Sequence, residues 1–235
     1  MSQVAERLAE IHARIARGAR AAGRDPEAVK VLAVSKTQPP ERVLEAVHAG
    51  VRAFGENRVQ EADAKIEAVR RLSDETLEWH LIGGLQRNKV RRAAALCDVI
   101  QSVDRAPLVA ALERECAALG RRPRIFLQVN IDAEPQKGGC APAEVAELAR
   151  AVDASDHLEL VGLMAIPRAC EDPEEVRPSF ARLRDLLGEL NRVRAHSLPL
   201  SELSMGMSSD FEVAVEEGAT WLRIGTALFG ERKDG

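Results

Sequence analysis

A lysine stands at the end of a short apolar run in the segment VKVLAVSKTQPP, residues 29–40. The run has the β-branched, apolar composition of a buried strand, and the two prolines that follow turn the chain away. This pattern places the amine of Lys36 at the mouth of the strand. A lysine near apolar walls and other cations loses its proton more easily, and a neutral amine can attack an aldehyde to form a Schiff base. A solvated lysine is the ordinary alternative.

Two segments near the C-terminus have the features of an anion site. In RIGTALFGER, Gly225 and Thr226 come directly after a predicted strand, where bare backbone N–H groups can face a phosphate. In MGMSSD, Ser208 stands beside the start of a predicted helix, whose N-terminus favours negative charge. Glycines that merely serve tight turns are the simpler alternative for each segment taken alone.

Short β-rich runs alternate with helical stretches along nearly the whole chain. Strands are predicted at 29–34, 51–54, 78–82, 99–103, 124–130, 158–164, 202–205 and 221–224. Helices are predicted at 40–49, 57–72, 88–96, 106–119, 142–152, 178–194 and 210–217. The helical spacing of Val4, Leu8 and Ile11 predicts a further, leading helix within 1–24. Asp210 is expected to cap the start of one helix and Gly120 the end of another.

Eight strand candidates, each joined to a helix, have the rhythm of a (β/α)8 barrel. An open, doubly wound sheet is the rival fold, but no G-x-G-x-x-G follows an early strand. We therefore predict an α/β protein with one domain over residues 1–235 and a single TIM barrel at 29–230. In such a barrel the residues after the strands meet at one face, and phosphate sites commonly follow strands seven and eight.

A Schiff-base lysine and a phosphate site on one barrel face together suggest the cofactor pyridoxal 5'-phosphate (PLP). The sharp turn after Lys36 would end the strand at the lysine and leave the barrel mouth open. Aldolase-type barrels also combine a lysine with phosphate binding. A barrel enzyme that acts on a sugar phosphate without PLP is therefore an alternative hypothesis.

The composition favours a cytoplasmic protein that binds neither nucleic acid nor membrane. The chain has 235 residues, of which 46% are hydrophobic and 30% charged, and its formal net charge is −4. It has no strong basic field, no apolar stretch that could span a bilayer and no secretory signal. Its four cysteines form no C-x-x-C pair; we expect reduced, mostly buried thiols and no metal site. Charged runs such as KIEAVRR, residues 65–71, are interpreted as solvated faces.

Several blocks of the sequence resemble one known family. They are VLAVSKTQP, FGENRVQE, WHLIGGLQRNK, GLMAIP and LSMGMSSDFEVAVEEGATWLRIGTALFG, in order between about Val31 and Phe229. These blocks are similar to those of the YggS/PROSC pyridoxal phosphate homeostasis proteins. The resemblance implies a barrel of the alanine racemase N-terminal domain type, with PLP bound to the lysine of the SK block, here Lys36. It also implies a role in intracellular PLP homeostasis without an established reaction. Gly84, in IGGLQ, occupies a position that varies in the family.

The resemblance also assigns the remaining cofactor-binding positions. Around the cofactor it places Asn57, His80 and Met207, and at the phosphate Ser208, Gly225 and Thr226. Arg223 would face the pyridine nitrogen, although a strand arginine paired with a carboxylate is the commoner arrangement. An arginine cannot give up its proton, so the ring nitrogen would stay unprotonated and the ring would be a poor electron sink.

Two features of the chain disfavour catalysis. It contains no tyrosine, whereas barrel racemases of the resembling type use a tyrosine as their second base. Those racemases supply it with a second, β-rich domain, for which the predicted barrel leaves little of this chain. We therefore expect a PLP-binding protein that is not an enzyme; a PLP-dependent racemase or lyase of narrow scope is the alternative. We also expect a monomer that contacts PLP-dependent apo-enzymes transiently.

Overall fold

Eight parallel strands close into a barrel in which each strand pairs with its neighbours in the sequence and β8 pairs with β1. The computed structural model describes residues 2–194 and 198–230, so positions 1, 195–197 and 231–235 of the predicted domain lie outside the described residues. The strands are β1 (Lys30–Val34), β2 (Ala53–Glu56), β3 (Glu78–Leu81), β4 (Val99–Val103), β5 (Arg124–Val129), β6 (Glu159–Ala165), β7 (Glu202–Met207) and β8 (Trp221–Ile224). The predicted (β/α)8 fold is confirmed.

Helices cover the outside of the barrel. They are α1 (Gln3–Ala21), α2 (Pro40–His48), α3 (Val59–Leu72), α4 (Val90–Leu96), α5 (Ala106–Leu119), α6 (Val145–Asp153), α7 (Arg177–Val193), α8 (Phe211–Glu216) and α9 (Thr226–Phe229). The predicted leading helix is α1. Ser2 caps its start, because the Ser2 hydroxyl accepts the Ala5 N–H at 3.2 Å. Its buried face, which includes Val4 and Leu8, packs against α8 and α9 and so supports the two loops that end the barrel.

The core has two layers because successive side chains of a barrel strand point alternately inward and outward. The outer layer fills the space between strands and helices. The inner layer is a separate apolar cluster of Leu32, Ala53, Ile82, Val99, Phe126, Met164 and Trp221. Buried polar side chains lie two residues along the same strands from members of this cluster, namely His80, Gln101 and Arg223. The barrel interior therefore combines an apolar layer with a polar one.

The start of β2 and the predicted cap of α8 differ from the prediction for local reasons. β2 was expected at 51–54 but spans Ala53–Glu56, because the Val51 N–H turns back to the Ala46 carbonyl at the end of α2. Asp210 precedes α8 as expected, but its carboxylate accepts the N–H of Met207 at 2.6 Å and does not cap the helix. Gly120 ends α5 in the left-handed conformation, as predicted.

The described residues also bear on membrane, metal and thiol chemistry. Across 2–194 and 198–230, no helix is long and apolar enough to cross a membrane. The same residues contain no group of three or more histidine, cysteine or acidic side chains arranged to hold a metal ion. All four cysteines are free, and three of them are buried. Burial raises the pKa of Cys97 to about 12, which makes this thiol unreactive at neutral pH.

Candidate functional site

One large cavity opens at the C-terminal ends of the strands. Its volume is about 890 Å³, within the range of small-molecule sites. The cavity wall contains seven of the eight residues that the sequence assigned to a cofactor, namely Lys36, Asn57, Met207, Ser208, Arg223, Gly225 and Thr226. The structure thus brings together residues from both ends of the chain.

Lys36 lies in a tight turn that follows β1. Gln38 N–H closes the turn on the Ser35 carbonyl at 2.9 Å, and Thr37 adopts a left-handed φ of 64° that few non-glycine residues tolerate. The Thr37 N–H donates to the carboxylate of Glu61, which fixes this conformation. Pro40 then starts α2 at the first helical position, where a missing N–H leaves no bond unmade. The turn therefore ends the strand and keeps Lys36 on the cavity wall.

A second lysine holds this turn from below. Lys65 on α3 is only 5% exposed, although its run was interpreted as a solvated face, and that interpretation is wrong for this residue. Its amine donates to the Ser35 carbonyl at 2.5 Å, to Glu56 at 2.6 Å and to Glu61 at 3.1 Å. All three N–H bonds are thereby satisfied, which is what a buried ammonium requires.

Glu56 completes this buried cluster. Its Oε1 also accepts the Ser35 hydroxyl at 2.7 Å, so one oxygen receives two donors. Burial raises the pKa of Glu56, while the Lys65 ammonium acts in the opposite direction. At Glu61, burial also acts to raise the pKa, but the bonds from Thr37 and Lys65 outweigh it and lower the pKa. The ion pairs thus tie the end of β1 to β2 and α3.

The loops after β7 and β8 form the opposite part of the wall. The Ala227 N–H donates to Ser208 Oγ at 3.1 Å and joins the two loops directly. Asp210 holds the first loop through its bond to the Met207 N–H, and Gly225 starts α9 by accepting the Phe229 N–H at 2.9 Å. Small side chains and hydroxyls therefore face the cavity here, which suits an anion with several oxygen atoms.

Arg223 enters the cavity wall from inside the barrel. It is 4% exposed, and its Nη1 donates to Ser204 O at 2.7 Å and Ser204 Oγ at 2.9 Å. Its Nη2 donates to the Ala165 carbonyl at 2.7 Å. These bonds use three of the five N–H groups of a guanidinium, so two are left for an acceptor in the cavity. Burial lowers the pKa of Arg223 to about 10, which still leaves the side chain charged at neutral pH.

His80, the eighth assigned residue, is not part of the cavity wall. It is 1% exposed, and both of its ring nitrogens have partners below the cavity. Nδ1 lies 2.7 Å from Gln101 Nε2, and Nε2 lies 2.5 Å from Glu78 Oε1. Burial lowers the pKa of His80 in spite of Glu78, so the ring is neutral. The geometry thus leaves no ring nitrogen free to contact a ligand directly.

The cavity wall also contains residues that the sequence analysis did not assign. Asp104 follows β4 and Gln128 lies at the end of β5, so the rule that strand ends form the site points to both. Gly138 comes from the long loop after β5, and no periodicity or motif in the sequence indicates that this loop returns to the barrel mouth.

Comparison with known proteins agrees with this architecture. Residues 7–233 match the model of the alanine racemase N-terminal domain. A pyridoxal phosphate homeostasis protein of Pseudomonas aeruginosa is 48% identical over 236 residues, covering 100% of this chain and 98% of the relative. The chain belongs to the pyridoxal phosphate homeostasis protein family.

Solved structures of other proteins have the same barrel. The structure of PipY from Synechococcus elongatus with PLP bound is 41% identical to this chain, with a TM-score of 0.83, and the alignment covers 97% of this chain and 100% of PipY. An alanine racemase of Clostridium difficile shares the fold at 12% identity, with a TM-score of 0.70. The latter alignment covers 95% of this chain but 57% of the racemase, so the similarity concerns only part of that enzyme.

Two adjacent glycines at the cavity allow a matched test of the packing. A Cβ atom added to Gly83 would lie 2.2 Å from the carbonyl oxygen of Asn57, whereas one added to Gly84 would meet nothing within 4 Å. Gly83→Ala should displace the Asn57 backbone and lower the thermal unfolding midpoint by about 5 °C, the usual effect of a forced clash of one to two kcal/mol. Gly84→Ala should leave the unfolding midpoint within about 1 °C of the wild-type value. Equal unfolding midpoints for Gly83→Ala and Gly84→Ala would contradict the close approach of Gly83 to the Asn57 carbonyl.

The buried cluster around Lys65 predicts a large effect on stability. Lys65→Met should lower the free energy of unfolding by about 3 kcal/mol in urea titrations, because it leaves the buried Glu56 carboxylate without its cation. The double variant with Lys65→Met and Glu56→Gln should recover more than half of this loss, because it no longer buries an unpaired carboxylate. Arg71→Met on the same helix removes an exposed pair with Glu67 and should change stability by less than about 0.5 kcal/mol. Similar losses in Lys65→Met and Arg71→Met would be inconsistent with a buried pair.

Proposed function

We propose that this chain binds PLP and takes part in PLP homeostasis, with Lys36 as the covalent attachment point. The observation that carries the proposal is the convergence of Lys36, Arg223 and the joined loops after β7 and β8 on one cavity. The family to which the chain belongs supports it, as does the PLP-bound structure of PipY.

The residues of the cavity fit the chemical groups of PLP. Lys36 supplies an amine at the end of a turn that holds it in place, and the cofactor's aldehyde supplies the carbon for a covalent bond. The hydroxyls and backbone of Ser208, Gly225 and Thr226 provide donors for a phosphate. The unused N–H groups of Arg223 suit an acceptor such as a pyridine nitrogen. We assign these three roles on that basis.

The same residues favour cofactor handling over catalysis. Arg223 remains charged and can only donate, so an aromatic nitrogen that faces it is held unprotonated. When bound in that form, PLP is a weak electron sink for carbanion chemistry. The chain has no tyrosine to act as a second base. We therefore propose a binding protein that is not an enzyme.

The setting of this function follows from the same features. We propose a cytoplasmic, single-domain monomer that transfers PLP to apo-enzymes through transient contacts. The buried free thiols and the moderate net charge of −4 support a reducing compartment and a protein without nucleic-acid or lipid partners. An open cavity mouth supports exchange of the cofactor with other proteins.

The attachment point can be mapped directly. After loading with PLP and reduction with borohydride, peptide mapping should find the pyridoxyl group on Lys36, the lysine on the cavity wall. Lys36→Ala should lose the adduct. Lys137→Ala should keep it, because the Lys137 amine donates to the Pro167 carbonyl at 2.7 Å. An adduct confined to Lys65, Lys89 or Lys137 would refute the assignment.

The absence of catalysis is tested by proton exchange. Incubated in deuterated water with a panel of L-amino acids, the PLP-loaded protein should exchange the Cα proton no faster than free PLP does. In the same mixture PLP should pass to a PLP-dependent apo-enzyme and restore its activity. Exchange well above the rate of free PLP and abolished by Lys36→Ala would instead identify a racemase or lyase.

A further inference from the structure

A continuous series of hydrogen bonds crosses the barrel interior, starting at the cavity wall. Arg223 Nη1 donates to Ser204 Oγ at 2.9 Å, and this hydroxyl lies 2.6 Å from Gln101 Oε1. Gln101 Nε2 lies 2.7 Å from His80 Nδ1, and His80 Nε2 lies 2.5 Å from Glu78 Oε1. We call these five residues the interior chain. All but Glu78 are buried.

The hydrogen bonds of the interior chain all run in one direction from donor to acceptor. A guanidinium can only donate, so Ser204 Oγ accepts from Arg223 and gives its own proton to Gln101 Oε1. The Gln101 amide then donates to His80 Nδ1, which must carry a lone pair, and the His80 proton sits on Nε2 and goes to Glu78. Each side chain thus fixes the orientation of the next one. The series starts at the Arg223 guanidinium, which can only donate, and ends at the Glu78 carboxylate, which can only accept.

This direction adds to the stabilisation that the Asp210 carboxylate gives to the buried charge of Arg223. Its hydrogen bonds go to neutral oxygens, those of Ser204 and Ala165. Along the interior chain, each acceptor atom faces toward Arg223 and each proton faces away. The series ends on the Glu78 carboxylate, whose other oxygen is paired with Arg124. Aligned dipoles of this kind reinforce one another in a low-dielectric interior and stabilise a cation without a direct ion pair.

We propose that His80 and Gln101 are positioning residues that act through Ser204 to hold Arg223 in the orientation that presents its unused N–H groups to the ring nitrogen of the ligand. This inference rests on the proposed function, because the ring nitrogen is that of PLP. If His80 Nδ1 no longer accepts, the Gln101 amide loses its preferred orientation. The Ser204 hydroxyl then rotates, and Arg223 Nη1 keeps only the Ser204 carbonyl of its two partners.

A pair of ligands separates this role from a purely structural one. The probes are PLP and its carbocyclic analogue, in which a C–H group replaces the ring nitrogen, each titrated against the apo-protein. Wild-type protein should bind PLP more tightly than the analogue, whose ring accepts no hydrogen bond. His80→Leu should weaken PLP binding about three- to tenfold, the worth of one buried hydrogen bond, and leave binding of the analogue unchanged.

Three variants serve as controls. His80→Asn restores an acceptor near the position of Nδ1 and should recover most of the discrimination between the two ligands. Trp221→Phe alters the packing of the His80 ring, whose centroid lies 4.7 Å from that of Trp221, but leaves the interior chain intact and should keep the discrimination. Ser204→Ala removes a single hydroxyl from the series, so it tests the same prediction in a less disruptive way if His80→Leu does not fold.

The outcomes distinguish the positioning role of His80 and Gln101 from the proposed PLP binding on which it rests. Loss of discrimination in His80→Leu or Ser204→Ala, with recovery in His80→Asn, supports the positioning role. An equal loss of affinity for both ligands, or an effect in Trp221→Phe as large as in His80→Leu, overturns it while PLP binding stands. Wild-type protein that binds PLP and the analogue equally overturns the contact between Arg223 and the ring. Wild-type protein that binds neither ligand overturns the proposed function itself.

Discussion

The parallel pairing of β8 with β1 is the contact on which the site depends. Its register places Leu32 beside Arg223 and Ala33 beside Ile224. Lys36 follows one of these strands within three residues and Gly225 follows the other directly, so closing the barrel brings the lysine and the proposed phosphate loop to one rim. The first and last strands are far apart in sequence, and no local interaction substitutes for their pairing. The helix α1 packs over α8 and α9 and supports the closed edge from outside.

Two buried cations, Lys65 and Arg223, lie near the pairing of β1 with β8, and the fold accommodates them in different ways. Lys65 is satisfied at short range by a carbonyl and two carboxylates, which makes it a rigid support for the Lys36 turn. Arg223 has neutral oxygens as its hydrogen-bond partners and depends on the orientation of groups farther along the barrel interior. The first arrangement occupies every N–H of its cation, whereas the second leaves donors available. The supporting residue Lys65 and the proposed ligand-binding residue Arg223 thus differ in how completely their hydrogen bonds are used.

The sequence predicted the architecture well because a barrel repeats one local pattern. All eight strands and the helices between them follow from the alternation of β-rich and helical runs. Seven of the residues assigned from the strand ends or from the family resemblance lie at one cavity. The failures involve contacts between distant segments. Lys65 looks like a surface residue of an amphipathic helix, because nothing near it in sequence indicates that Glu56 and Ser35 lie beneath. The resemblance places His80 around the cofactor, but only the positions of Gln101 and Glu78 show that its ring nitrogens are occupied.

The pairing of β1 with β8 also has a consequence for biosynthesis. Chains emerge from the ribosome N-terminus first, so Lys36 and its supporting turn are made long before Arg223 and Gly225 exist. Until the last strand is released, the rim is open on one side and the lysine faces no partner loop. A half-made chain therefore has Lys36 without the loops after β7 and β8. The complete cavity wall is then acquired in one step, when β8 pairs with β1 and the barrel closes.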